Sequence, residues 1–272
     1  QRGNFIEVPT DCPQRDERLG WTGDAQVFAS TAMYLADAQS FFRKWMRDLV
    51  VDQREDGAVP HVCPDPTRLK PQDYPGFFGS TGWGDAIWVV PWQMYLHYGD
   101  RAVLSETLPA MVKWVDFVWS ISNGPIVRPP RAWGERGFSF GDWLQPGGPS
   151  AKPLPTIGDD AAATIYLFIA ATHVARIARI SGDAATAERL EQMAGQVKAA
   201  FANEFITASG RLAYDDQTSY ALALLYDLVP EDRLAAAKDY FKATILRSGG
   251  RIGTGFIGTP ALLPALVKIG ET

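Results

Sequence analysis

The sequence predicts an all-α fold, an (α/α)6 toroid or barrel that is incomplete in this chain, with about nine of twelve helices within its 272 residues. Three observations carry the prediction. Apolar residues recur at helical spacing along most of the chain, while alternating β-branched strands are almost absent. Short joints between the helical segments alternate with long ones. The long joints, and not the short ones, hold the tryptophan, glycine and aspartate clusters.

The elements follow in order. Residues 1–23 read as a long polar loop, followed by helices at 24–37, 39–53, 84–98, 101–121, 159–180, 184–205, 216–228, 232–246 and 260–269. Ala, Leu, Met, Gln and Lys fill them, all good helix formers. Pro91 is expected to kink the third helix rather than end it. The tight joints fall at Asp37, Tyr98-Gly99-Asp100, Ser181-Gly182-Asp183 and Val229-Pro230-Glu231-Asp232. In the Gly-Asp pairs, glycine closes one helix in the left-handed conformation and aspartate caps the next. The long joints are 54–83, 122–158, 206–215 and 247–259. Antiparallel hairpins packed side by side put short turns at one end and long loops at the other, so the unusual residues are expected to share one end.

The loop at 1–23 implies a helix upstream, and Lys268-Ile269-Gly270-Glu271-Thr272 resembles one more short turn. Twelve helices close a ring of six hairpins, so 1–272 is expected to be one partial domain truncated at both ends. An open helical bundle or solenoid is the alternative, although no repeat of 30–45 residues supports an array.

Composition narrows the function. With 46% hydrophobic residues a sizeable core is expected. The net charge of −5, without a basic run, argues against nucleic acid as a partner. No run of about 18 uninterrupted apolar residues is present, so no membrane partner is expected. Cys12 and Cys63 read as free thiols, with a single disulfide as the alternative. The chain opens on Gln1 with no targeting pattern, which leaves the compartment open. Three histidines and two cysteines have no zinc spacing, and neither a phosphate-binding loop nor a Gly-x-Ser-x-Gly elbow occurs. No metal or cofactor is therefore expected. His97 and His173 read as core residues, and His61 as a loop histidine of the kind that seldom touches a ligand. Nine Trp and nine Tyr suit carbohydrate contacts as well as a core.

The densest chemistry lies in Asp11-Cys12-Pro13-Gln14-Arg15-Asp16-Glu17-Arg18-Leu19-Gly20-Trp21-Thr22-Gly23-Asp24. Taken singly, these residues have simple readings: Asp24 as a helix N-cap, and Glu17 with Arg18 as a solvated pair worth under about 1 kcal/mol. Taken together, carboxylates this close repel unless arginines or a ligand hold them. A sugar-cleaving site needs such a set: an acid for the glycosidic oxygen, carboxylates for hydroxyls and an indole face for the pyranose. Trp83-Gly84-Asp85 and Gly141-Asp142-Trp143 repeat the combination, which makes Trp83, Asp85, Asp142 and Trp143 candidate substrate contacts. Trp133 and Glu135 are rim candidates in the same long loop.

The stretch 11–26 resembles the signature of bacterial α-L-rhamnosidases of glycoside hydrolase family 78. The resemblance extends to Gly82-Trp83-Gly84-Asp85-Ala86, Gly141-Asp142-Trp143-Leu144 and Thr254-Gly255-Phe256-Ile257-Gly258-Thr259-Pro260. It implies an (α/α)6 catalytic domain with Glu17 as general acid and Asp11, Arg15, Trp21 and Asp24 lining the rhamnose subsite. It also implies inversion of the anomeric centre by a second glutamate acting as base, in a segment past residue 272, so the isolated chain is expected to be weakly active or inactive. The implied partner is a rhamnose-containing glycoside or polysaccharide, with flanking β-domains in the parent protein. Two alternatives stay open: another toroid enzyme such as a polysaccharide lyase, against which the acidic site argues, and a non-catalytic sugar-binding or scaffold fragment.

Overall fold

The computed structural model describes residues 3–69, 76–130, 135–146 and 157–271. Nine α-helices lie among them: α1 (Thr22–Leu35), α2 (Gln39–Asp52), α3 (Ala86–Tyr98), α4 (Arg101–Ser120), α5 (Asp159–Ile180), α6 (Ala184–Phe205), α7 (Gln217–Leu225), α8 (Glu231–Arg247) and α9 (Thr259–Ile269). The strands described are β1 (Ser122–Asn123) and β2 (Ile126–Val127), a hairpin that turns through Gly124 at φ 63°.

Each expected helix is present, and the joints explain its limits. Gly99 is left-handed at φ 67°, and the Asp100 carboxylate accepts from Val103 N at 3.1 Å, so one helix stops and the next starts within two residues. Gly182 and Asp183 repeat the device, with Asp183 accepting from Thr186 N at 3.0 Å. α3 continues through Pro91, which, as expected, does not end it. α7 ends at Leu225, three residues early, because Asp227 takes the left-handed conformation (φ 57°) and Leu228 N turns back to Ala223 O.

The chain divides into two compact units. The first comprises Gln1–Ser122, Pro129–Ser139 and Ala170–Met193; the second comprises Asn123–Arg128, Phe140–Ile169 and Ala194–Thr272. In the first unit α3 packs against α1, α2 and α4, around the fully buried Phe42, Trp45, Met94, Trp114 and Phe117. Each such side chain contributes about 2–3 kcal/mol by leaving water. In the second unit α7 packs against α8 and α9, around Tyr220 and Phe241.

The histidine expectations need correction in part. His97 is exposed at the end of α3 and meets Ser30 Oγ at 3.1 Å. His173 is half-buried, stacked on Trp88 at 4.8 Å between ring centroids. Cys12 and Cys63 are free thiols. α5 has the length and apolar composition of a membrane span, but 78% of its apolar window is buried in the molecule, as befits a core helix.

Candidate active site

The polar stretch 11–20 leads directly into α1. Asp11 N donates to Leu19 O at 3.2 Å and Arg15 N to Cys12 O at 3.1 Å, which folds the stretch into a compact loop. Arg18 is left-handed at φ 45°, a conformation that costs a non-glycine residue about 1 kcal/mol and turns the chain between Glu17 and Leu19. Next to the loop, Cys63 N donates to Gly20 O at 2.9 Å, and Thr22 donates to His61 O through both N (2.9 Å) and Oγ1 (3.0 Å). Trp21 is the N-cap residue of α1, without a side-chain cap. Asp24 therefore lies in the first turn of α1 and not at its cap, where the helix dipole favours a negative charge.

Acceptors outnumber donors here. The ligand atoms of Asp11, Cys12 and Glu17 all lie within 4.8 Å of one another. Oδ1 of Asp11 is enclosed and has no hydrogen-bond partner among the described residues. Glu17 is paired with Arg15 at 3.3 Å, both side chains being open to solvent. Burial first, and the charge of Asp11 second, push the Asp24 carboxyl up to about 6. A side-chain hydrogen bond to Asp11 is the first cause that raises the Cys12 thiol.

The turn Ser80–Asp85 belongs to the same unit. Asp85 is 1% exposed. Its Oδ2 accepts from Gly82 N at 2.7 Å, and its Oδ1 accepts from Trp88 Nε1 at 2.7 Å and from Trp114 Nε1 at 3.1 Å. Although Asp85 precedes α3, its carboxylate caps no backbone N–H of that helix and reaches its first turn through the Trp88 indole. Trp83 is 3% exposed, its indole lying against Gly23 of α1.

In the second unit Asp142 is likewise enclosed. Its carboxylate accepts from Gly255 N (2.7 Å), Ile257 N and Gly258 N (both 3.0 Å) and from Thr218 Oγ1. Trp143, its neighbour, is 47% exposed and meets Phe140 edge-on at 5.8 Å.

Comparison with known proteins places this geometry. The profile of the bacterial alpha-L-rhamnosidase 6 hairpin glycosidase domain matches residues 1–272. The chain belongs to this family. An alpha-L-rhamnosidase of Streptomyces avermitilis is 39% identical over 273 residues, an alignment that covers 100% of this chain and 24% of the relative. One from Formosa agariphila is 35% identical, covering 99% and 28% respectively. Among solved structures, the Streptomyces avermitilis alpha-L-rhamnosidase complexed with L-rhamnose superposes with a TM-score of 0.87 at 37% identity, over 100% of this chain and 24% of that one. The alpha-L-rhamnosidase of Aspergillus terreus gives 0.83 at 33%, over 99% and 30%. The six-hairpin domain thus has the (α/α)6 fold class, and the chain spans about a quarter of the length of the curated relatives it matches.

Of the expected contacts in this six-hairpin domain, Asp11 and Glu17 are brought together, and Asp11 acts electrostatically on Asp24. Trp21 is half-buried nearby in sequence. Trp83, Asp85 and Asp142 are enclosed, while Trp143 is open. Glu135 is exposed, and its neighbour Arg136 pairs with Asp56 at 2.8 Å instead. Trp133 lies outside the described residues. One residue of the first unit escapes the sequence reading, and a second, His61, reads there only as a loop histidine. Phe77 stands edge-on to Trp21 at 5.5 Å and to His61 at 5.3 Å. His61 is 1% exposed, and its Nε2 accepts from Ser80 N at 3.0 Å. Burial lowers the His61 pKa to about 3, so the ring is neutral with its proton on Nδ1. A phenylalanine in a loop without periodicity carries no sequence signal for either contact.

Proposed function

We propose that this domain hydrolyses terminal α-L-rhamnosides within its full-length protein, by an inverting general acid/base mechanism. Glu17 is the general acid. Exposed and, among the described residues, paired with Arg15, it can swing to a glycosidic oxygen and deliver a proton. Asp11, Arg15, Trp21 and Asp24 line the subsite, the carboxyls accepting from sugar hydroxyls and the indole covering the apolar face of the deoxyhexose. The resemblance to the family puts the base that activates water on a glutamate outside these 272 residues; an inverting pair stands roughly 6.5–9.5 Å apart with water between.

One observation carries the reading: the enclosed, unmatched Asp11 Oδ1 beside the raised carboxyl of Asp24. Enclosed acceptors without donors are costly, about 1–3 kcal/mol each, and a polyhydroxylated ligand supplies the donors. The names of the relatives supply the sugar. The test is rhamnose release from an aryl α-L-rhamnoside by the full-length protein, with the anomer formed first read by proton NMR. The reading expects β-L-rhamnose first, and expects the isolated 272-residue chain to be slower by the roughly 10²–10⁴-fold that a missing base costs. Retention of configuration, or full turnover by the isolated chain, would overturn the mechanism.

A further inference from the structure

We propose that Asp85 and Trp83 are positioning residues that hold the Trp21–Asp24 end of α1 in register without touching the sugar themselves. This rests on the reading of Asp11, Glu17, Trp21 and Asp24 as the rhamnose site.

Asp85 is 1% exposed and already accepts from three N–H donors, which shuts it away from a ligand. One oxygen serves the turn through Gly82 N, and the other anchors that turn to two core indoles, Trp88 and Trp114. Gly84 is required for this approach, because a Cβ there would lie 2.4 Å from the Trp114 ring. The opposite side of the turn faces α1. Gly82 O accepts from Gln26 Nε2, and the Trp83 indole lies where a Cβ on Gly23 would come within 2.7–2.8 Å of its atoms. The turn therefore grips α1 at Gly23 and Gln26, on either side of Asp24.

A second tie runs to the residues before Asp24. His61 Nε2 accepts from Ser80 N, and His61 O accepts from Thr22 N and Oγ1, with Phe77 against Trp21. The turn 80–85 is thus fixed to the core by Asp85 and to the candidate site by two routes. A displacement at Asp85 reaches Asp24 and Trp21 through rigid, buried contacts. A misplacement of about 1 Å is enough to cost a site about a hundredfold.

The test uses the full-length protein with G23A, W83A, the double variant G23A/W83A, and D85N. D85N turns an amide N–H₂ towards a donor; G23A serves if D85N does not fold. Folding is checked by circular dichroism and melting. Cleavage of an aryl α-L-rhamnoside is followed as kcat and KM against pH, and the carboxyl of residue 24 is titrated by ¹³C NMR. G23A and D85N are expected to lower kcat/KM by about ten- to a hundredfold in folded protein. They are also expected to move the Asp24 titration by about half a unit or more. G23A drives a methyl into the Trp83 indole and W83A removes that indole, so both act on one contact and the double variant should be no worse than the worse single one. Singles within twofold of wild type, losses that multiply in the double variant, or an Asp24 titration that does not move would each overturn the positioning role. If wild type releases no rhamnose, the sugar reading fails. The Asp24 titration in G23A then still decides whether the turn positions α1.

Discussion

Asp24 and Asp85 both follow a tryptophan and a glycine, and the structure gives them opposite surroundings. Asp85 is enclosed with three N–H donors on its two oxygens. Asp24 is half-buried beside another carboxyl, which, after burial, helps to push it up to about 6. Asp142 sides with Asp85, holding three backbone N–H groups and a hydroxyl. The lesson concerns donor balance. An enclosed carboxylate held by three or more donors of its own chain is a fastening, and one left short of donors beside a like charge is available to a ligand.

The comparison is broken most severely at Glu17. E17Q should lower rhamnoside cleavage by the full-length protein about 10²–10⁴-fold while leaving the melting temperature unchanged, because the side chain is solvated. The fastening aspartates should behave in the reverse way. D85A strands two buried indole N–H groups and one backbone N–H, and D142A strands three backbone N–H groups and a hydroxyl. Each should destabilise the isolated chain by about 3 kcal/mol or more in urea unfolding. A loss under about 1 kcal/mol for either would show that these carboxylates do not carry the turns they appear in.

A smaller effect is expected from pH. The folded-state pKa of Asp24 is raised from 3.8 to about 6, so its protonated form favours the native state. That contribution is fully present below about pH 4 and is lost as pH rises through about 6. Asp216, raised by burial to about 7, has the same sign. The melting temperature of wild type should therefore fall relative to D24N between pH 4 and 7, and parallel profiles would refute the burial of Asp24. The smallest effect belongs to the loop ion pair. R15A should change stability by no more than about 0.5–1 kcal/mol, and added salt should erase the difference.

Much of the fold was legible in the sequence. Glycine at helix ends, aspartate at starts and unbroken 3.6-residue periodicity are local signals, and they set helices α1 to α9 within a few residues. The misplaced end of α7 shows where that logic stops, since Asp227 does a glycine's work there at no visible cost in sequence. The candidate loop was legible too, because its charge density is a local property. Its division of labour was not. Trp21-Thr22-Gly23-Asp24 and Trp83-Gly84-Asp85 are alike as strings. What separates them is that Asp85 gains the indole of Trp88, three residues on, and that of Trp114 from α4, and no spacing rule encodes the arrival of the second.

The sequence by itself determined the helical class, the joints and the loop that holds Asp11, Glu17 and Asp24, because these follow from backbone propensity and from charges close along the chain. Only the tertiary structure decided that Trp83, Asp85 and Asp142 are enclosed, that His61 is neutral, and that Phe77 meets Trp21. Burial and donor count depend on residues brought from far along the chain, and a carboxylate's role is set by which donors reach it.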